Sequence, residues 1–128
     1  MTTKIDGILL FAHGSRDALW RAPIEAVAQR IRAQSPSTPV ACAYLELCEP
    51  DLPTATAQLI AQCGHMAVTL RLFPLFLGIG KHAREDLPLL VTQLREQYPQ
   101  ATFELMATAG SDARVTDLLA DMALENAL

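Results

Sequence analysis

Two histidines and a glutamate follow apolar segments of the chain, at the points where predicted strands end. His13 comes directly after the apolar run IDGILLFA, Glu46 lies near the end of VACAYLEL, and His82 stands in the loop after MAVTLRLF. Two imidazoles and a carboxylate are a suitable ligand set for a borderline divalent ion such as cobalt, nickel, ferrous iron or zinc. Three protein ligands also leave coordination positions open, which a purely structural metal site would close.

The elements that must position these residues are predicted from the period of the apolar pattern, which alternates between strands and helices. A chain of 128 residues is long enough for one hydrophobic core, so we expect a single domain over residues 1–128. The predicted order is strands at 5–12, 40–47, 66–73 and 101–107, with a helix after each, and the third helix carries Leu87 to Leu94 after a long loop. This order predicts an α/β fold with an open, four-stranded parallel sheet and helices on both faces.

The edge of the sheet where these strands end is the expected ligand site of such a fold. His13, Glu46 and His82 each follow a different strand, so the sequence predicts that they meet at this edge. Taken singly, each has a simpler explanation: a strand-end histidine can bond to a loop backbone, and a loop carboxylate or histidine can be solvated surface. The convergence of the three favours a functional site.

The loop PLFLGIGKHARED, which follows the third strand, is more apolar than an idle surface loop. It could line a pocket for a large, flat, apolar ligand, with Arg16, Lys81 and Arg84 meeting acidic groups on the rim of that ligand. Its leucines and phenylalanines could equally pack under the loop or in a subunit interface.

Composition excludes several classes of protein. A net charge of −4 and a sequence pI near 5.2 argue against nucleic-acid binding, and no apolar run is long enough to span a membrane. The N-terminus MTTKIDG lacks the apolar segment of a signal peptide, so we expect a cytoplasmic protein. Three cysteines without CxxC spacing predict neither a disulfide framework nor a zinc ribbon, and His65, before the third strand, has no predicted role.

The chain contains the segments HGSRD, YLELCEP and PLFLGIGKHAREDLP. Together they resemble the short CbiX-type class II chelatases, over essentially the whole chain and in the same order. The resemblance implies a chelatase-like, flavodoxin-like fold and an enzyme that inserts a divalent metal ion into sirohydrochlorin, in tetrapyrrole or cobalamin biosynthesis. Cobalt is the expected metal, with iron or nickel as alternatives. The resemblance also implies that the protein is a homodimer and that it needs no cofactor beyond the substrate metal ion.

By position, the resemblance makes His13 and His82 the two metal-site histidines and Glu46 their acidic companion. All three are then expected to bind the metal and to take part in catalysis, because a neutral imidazole can accept the pyrrole protons that leave as the metal enters. The expected substrate-binding residues are Ser15, Arg16, Lys81 and Arg84.

A metal or tetrapyrrole carrier without catalytic activity would use the same residues and is the main alternative. A histidine phosphatase is excluded, because Ala12 stands where an arginine should precede the histidine to hold phosphate. A receiver domain is excluded too, because the chain lacks clustered acidic residues after the first strand and an acceptor aspartate after the third.

Overall fold

The computed structural model describes residues 4–125 and has the predicted α/β architecture. The strands are β1 (Gly7–Ala12), β2 (Val40–Tyr44), β3 (Thr69–Pro74) and β4 (Thr102–Leu105), and the helices are α1 (Ala18–Gln34), α2 (Leu52–Cys63), α3 (Lys81–Gln97) and α4 (Ala113–Leu124). A short 3-10 turn, Ala109–Ser111, precedes α4. All strand pairs are parallel, in the order β2-β1-β3-β4. The predicted four-stranded parallel sheet is therefore confirmed.

Strand β1 lies in the middle of the sheet, as its nearly continuous apolar sequence requires. It pairs with β2 on one side and with β3 on the other. Leu9, Leu10, Phe11 and Ala12 are all at most 1% exposed, because helices cover both faces of the sheet at this strand. His13 therefore begins where a fully buried strand reaches the sheet edge.

Helices α2 and α3 cover one face of the sheet, which we call the closed face. Its core combines strand residues such as Leu70, Leu72 and Phe103 with helix residues such as Leu59 and Val91. Asp51 begins α2 by accepting a hydrogen bond from the Thr54 N–H at 2.9 Å.

The opposite face, which we call the open face, carries a much smaller core. Its buried residues are Leu10, Ala28 and Val40, with half-buried Phe73 and Leu75 beside them. Helix α1 packs here on β1 and β2. Helix α4 contacts mainly the 3-10 turn and buries none of its residues. Its apolar side chains Leu118, Leu119 and Met122 are exposed, and Val115 is half-buried.

Helix α3 begins earlier than the sequence predicts. We expected a loop as far as Asp86 with Pro88 in the first helical turn, but the helix starts at Lys81 and contains Pro88 in its interior. An interior proline costs about 3 kcal/mol. Four α3 side chains packed in the closed core offset that cost. Those residues are Ala83, Leu87, Val91 and Leu94. His82 is consequently a helix residue and not a loop residue.

Among residues 4–125, no helix is long and apolar enough to cross a membrane.

Candidate active site

The side chains of His13 and Glu46 are in direct contact at the carboxyl ends of β1 and β2. Backbone pairing continues past both strand ends, since the Leu45 N–H donates to the Ala12 carbonyl at 2.9 Å and the Glu46 N–H to the His13 carbonyl at 3.0 Å. The side chains follow this register, and His13 Nε2 lies 3.0 Å from Glu46 Oε1. Each side chain is about half exposed, 51% for His13 and 55% for Glu46, so both remain accessible to an incoming ion.

Gly14 makes this contact sterically possible. Its φ of +104° lies in the region that favours glycine, and a Cβ atom at this position would lie 1.8 Å from the Glu46 carbonyl oxygen. Any larger residue would push the loop after β2 away from β1. The glycine in the segment HGSRD therefore allows Glu46 to approach His13.

His82, in the first turn of α3, lines the same cavity as this pair. Buried Ala83 and Leu87 fix this end of the helix in the closed core. The cavity has a volume of about 680 Å³. Its lining consists of His13, Leu45, Glu46, Phe76, Gly78, Gly80, Lys81, His82, Ala83 and Asp86. The three predicted ligand residues thus share one cavity at the predicted edge of the sheet.

The three residues do not form a closed metal site as they stand. Among residues 4–125, no group of three or more His, Cys, Asp or Glu side chains is arranged to hold a metal ion. His13 and Glu46 are paired, whereas His82 shares the cavity with them without completing a cluster. The arrangement is open, with exposed side chains on both walls of the cavity.

The four predicted substrate-binding residues lie in different places. Lys81 lines the cavity, whereas Ser15, Arg16 and Arg84 lie outside its lining. The Ser15 hydroxyl accepts a hydrogen bond from the Asp17 N–H at 3.0 Å and so shapes the turn before α1. Arg16 and Arg84 are exposed.

Asp86 and Phe76 also line the cavity. The loop that contains Phe76 was expected from the sequence to line a pocket, whereas Asp86 was given no role. Asp86 lies one turn beyond His82 on α3, a spacing that becomes visible only once the helix is known to begin at Lys81. Its carboxylate adds negative charge to the wall where a divalent cation would enter. Phe76 packs edge to face on Phe11, with ring centroids 6.1 Å apart, and forms an apolar wall.

The remaining histidine and the cysteines lie away from this cavity. His65 and Cys63 line a separate cavity with Lys4 and Asp6, near the start of β1. Burial raises the pKa of the Cys63 thiol, and burial likewise raises the pKa of Cys42. These two thiols are therefore protonated and poor metal ligands at neutral pH.

Comparisons with known proteins agree with the resemblance found in the sequence. The sequence model of the CbiX family matches residues 7–126. A sirohydrochlorin cobaltochelatase from Sulfolobus acidocaldarius is 30% identical over 117 residues, which are 91% of this chain and 89% of that protein. A sirohydrochlorin ferrochelatase from Priestia megaterium is 26% identical over 91% of this chain but only 43% of its own length.

One solved structure has the same fold over nearly its full length. It is described as a putative cobalamin biosynthesis CbiX protein from Marinobacter aquaeolei VT8. The two chains are 30% identical with a TM-score of 0.76, and the match covers 92% of this chain and 93% of that one.

Proposed function

Because the chain belongs to the CbiX family, we propose that it is a sirohydrochlorin chelatase, an enzyme that inserts a divalent metal ion into sirohydrochlorin. The observation that carries this proposal is the shared cavity of His13, Glu46 and His82, with His13 Nε2 and Glu46 Oε1 3.0 Å apart. A volume of about 680 Å³ is within the range of small-molecule sites, and the cavity is open at the sheet edge. We treat residues 1–128 as one chelatase domain.

The substrate metal ion is bound, in this proposal, between His13 and Glu46 on one wall and His82 on the other. An ion that binds both His13 Nε2 and Glu46 Oε1 must come between these two atoms, which lie 3.0 Å apart, and so must replace their direct contact. The ion is substrate here, and it leaves the protein ligands when the macrocycle takes it.

The same side chains serve the proton transfers of the reaction. Two pyrrole N–H protons must leave as the metal enters the ring, and the imidazoles of His13 and His82 in the cavity lining can accept them. Glu46, in contact with His13 and half exposed, can pass a proton on to solvent.

The acidic substituents of sirohydrochlorin require cations in a protein whose net charge is −4. Lys81 lies in the cavity lining and is the first candidate. The other expected substrate-binding residues lie outside the lining, so we assign them to the outer rim of the bound macrocycle. These residues are Arg16, Ser15 and Arg84.

Cobalt is the metal we propose. The relative that aligns over 89% of its own length is named a cobaltochelatase, although another relative is named a ferrochelatase. An N/N/O ligand set suits cobalt, iron and nickel, so the ligands alone do not choose among them. Cobalamin biosynthesis follows as the proposed pathway for a cobalt product, and siroheme biosynthesis for an iron product.

We also propose that the enzyme is a homodimer, with the open face as its interface. Exposed apolar residues of α1 border this face, and α4 exposes several more; they include Leu19, Trp20, Leu118, Leu119 and Met122. The ferrochelatase from Priestia megaterium is matched over only 43% of its length, so it has room for a second unit of this size. A second copy of this chain is the equivalent partner for a short chain.

A cytoplasmic location completes the proposal. All three cysteines are free, as expected in a reducing compartment.

The test is an absorbance time course of sirohydrochlorin with Co²⁺ and catalytic amounts of the protein, repeated with Fe²⁺ and Ni²⁺. We expect conversion well beyond one equivalent per protomer. A spectral change that stops at one equivalent would support the carrier instead.

Variants of the histidines test the site itself. We expect His13→Ala and His82→Ala each to lower the rate by at least about 100-fold, since they remove a ligand and a proton acceptor. His65→Ala is the matched control, because His65 lies outside this cavity, and it should retain full activity. Full activity in both site variants would contradict the assignment.

A further inference from the structure

The loop between β3 and α3 forms one wall of the proposed active site, through Phe76, Gly78 and Gly80. Its first part is well anchored, because the Leu75 N–H donates to the Phe11 carbonyl at 2.7 Å and Phe76 packs on the Phe11 ring. Its second part has less support. The Leu77 side chain is 70% exposed, and Gly78 and Gly80 have open space around their Cα hydrogens.

The 3-10 turn after β4 contacts this second part at Gly110. The Gly110 N–H donates to the Phe76 carbonyl at 2.8 Å. A Cβ atom on Gly110 would lie 1.7 Å from the Leu77 carbonyl oxygen and 2.5 Å from the Leu77 carbonyl carbon. These are backbone atoms, so no side-chain rotation can relieve the overlap.

We propose that Gly110 is a positioning residue of the chelatase reaction: by admitting the Leu77 backbone against the 3-10 turn, it sets the position of the cavity wall formed by residues 76–80. The proposal rests on the proposed function. A methyl group at position 110 must separate the turn from the loop by more than 1 Å and break the hydrogen bond to Phe76. The wall would then shift relative to the rest of the cavity.

The metal-binding side of the cavity is not expected to move with this wall. His13 and Glu46 are held by backbone pairing between the ends of β1 and β2. His82 is held by α3, whose Ala83 and Leu87 pack in the closed core. A displaced loop should therefore disturb the seating of the macrocycle while leaving metal binding unchanged.

The experiment compares Gly110→Ala with the wild type in three measurements: Co²⁺ affinity without macrocycle, KM and kcat for sirohydrochlorin, and thermal unfolding. We expect Co²⁺ affinity within about twofold of wild type, and kcat/KM lowered on the order of 100-fold, as for reacting groups misplaced by about 1 Å. A general loss of structure would instead lower Co²⁺ affinity and activity together.

Gly64→Ala is the matched control. Gly64 ends α2 with a φ of +80°, so alanine strains the backbone there too, but nothing lies within 4 Å of the added Cβ atom. Gly64 also lies outside the cavity lining. This variant should lose thermal stability and keep wild-type kcat/KM.

A second variant keeps the proposal testable if Gly110→Ala does not fold. Ser111→Ala removes the 2.7 Å hydrogen bond from the Ser111 hydroxyl to the Thr108 carbonyl, a bond that helps to close the 3-10 turn. This substitution introduces no steric clash. We expect a smaller loss of kcat/KM in the same direction, again with unchanged Co²⁺ affinity.

The outcomes separate this inference from the proposed function. Wild-type kcat/KM in Gly110→Ala, or in Ser111→Ala if the first variant does not fold, would overturn the positioning role while the chelatase assignment stands. Equal loss of Co²⁺ affinity and of kcat/KM would also overturn it. Absence of turnover in the wild-type protein would overturn the proposed function and this inference with it.

Discussion

The two faces of the sheet differ in how completely the chain covers them. On the closed face, α2 and α3 bury a continuous core that includes Leu59, Leu72 and Val91, all at most 1% exposed. On the open face, α1 buries only Ala28 fully. Helix α4 buries no residue on either face. The isolated protomer is therefore stabilised mainly from one side.

This difference separates the residues that fold the chain from those available for association. His13, Glu46 and His82 lie at the edge shared by both faces, on strand ends and on a helix anchored in the closed core. The site is thus built on the well-packed half of the molecule, while the apolar residues of α4 are free to contact a second copy. Variants on each face test this difference in burial.

The largest expected effect comes from neighbouring residues of β3 that point to opposite faces. Leu72 is fully buried on the closed face, whereas Phe73 is half-buried on the open face. Leu72→Ala should lower the free energy of unfolding by about 3 kcal/mol. Phe73→Ala should cost less despite removing a larger side chain. Urea unfolding of dilute protein measures both, and equal losses would mean that the two faces are equally buried.

A smaller effect is expected from the aspartate that caps α2. Hydrogen bonds from Thr54 lower the pKa of the Asp51 carboxyl below its ordinary value of 3.8. Its stabilising contribution is therefore fully present above about pH 4 and is lost as the pH falls through the lowered folded-state pKa. Asp51→Ala should cost about 1 kcal/mol at pH 7 and progressively less in acid.

Asp112 caps α4 in the same way and is the comparison for Asp51. Asp112→Ala should increase hydrogen exchange within α4 and leave the cooperative unfolding of the sheet unchanged, because α4 adds nothing to the buried core. Destabilisation of the whole protomer by this variant, to the extent seen for Asp51→Ala, would contradict the distinction between the faces.

The smallest effect on the protomer is expected at Leu119 on α4, which is 42% exposed. Leu119→Glu should change the unfolding free energy of an isolated protomer by less than about 0.5 kcal/mol. It should also convert the proposed dimer to a monomer and remove the dependence of Tm on protein concentration. Sedimentation measures the mass, and Ala120→Glu, roughly 100° further around the same helix, is the matched control. An unchanged mass for Leu119→Glu would exclude α4 from the interface.

Much of the fold and part of the site were predictable from the sequence. The apolar run before His13 predicted a buried strand ending there, and the alternation of strands and helices predicted a parallel sheet whose ends bring His13 and Glu46 to one edge. The start of α3 was not predicted, because Pro88 signals a first helical turn locally and only packing of Ala83 and Leu87 in the core outweighs it. Hence Asp86, one turn from His82, was also missed.

The types and order of the elements follow from the sequence alone, as does the placement of the chemical groups at strand ends, because these depend on the period of apolar residues along a short segment. Which surfaces are covered, and where backbones approach closely, depends on the tertiary structure. Two such close approaches join segments that are more than 30 residues apart in the chain: Gly14 with Glu46, and Gly110 with Leu77. The uncovered side of α4 is likewise apolar in sequence, and only the absence of a packed neighbour within residues 4–125 distinguishes it from a core helix.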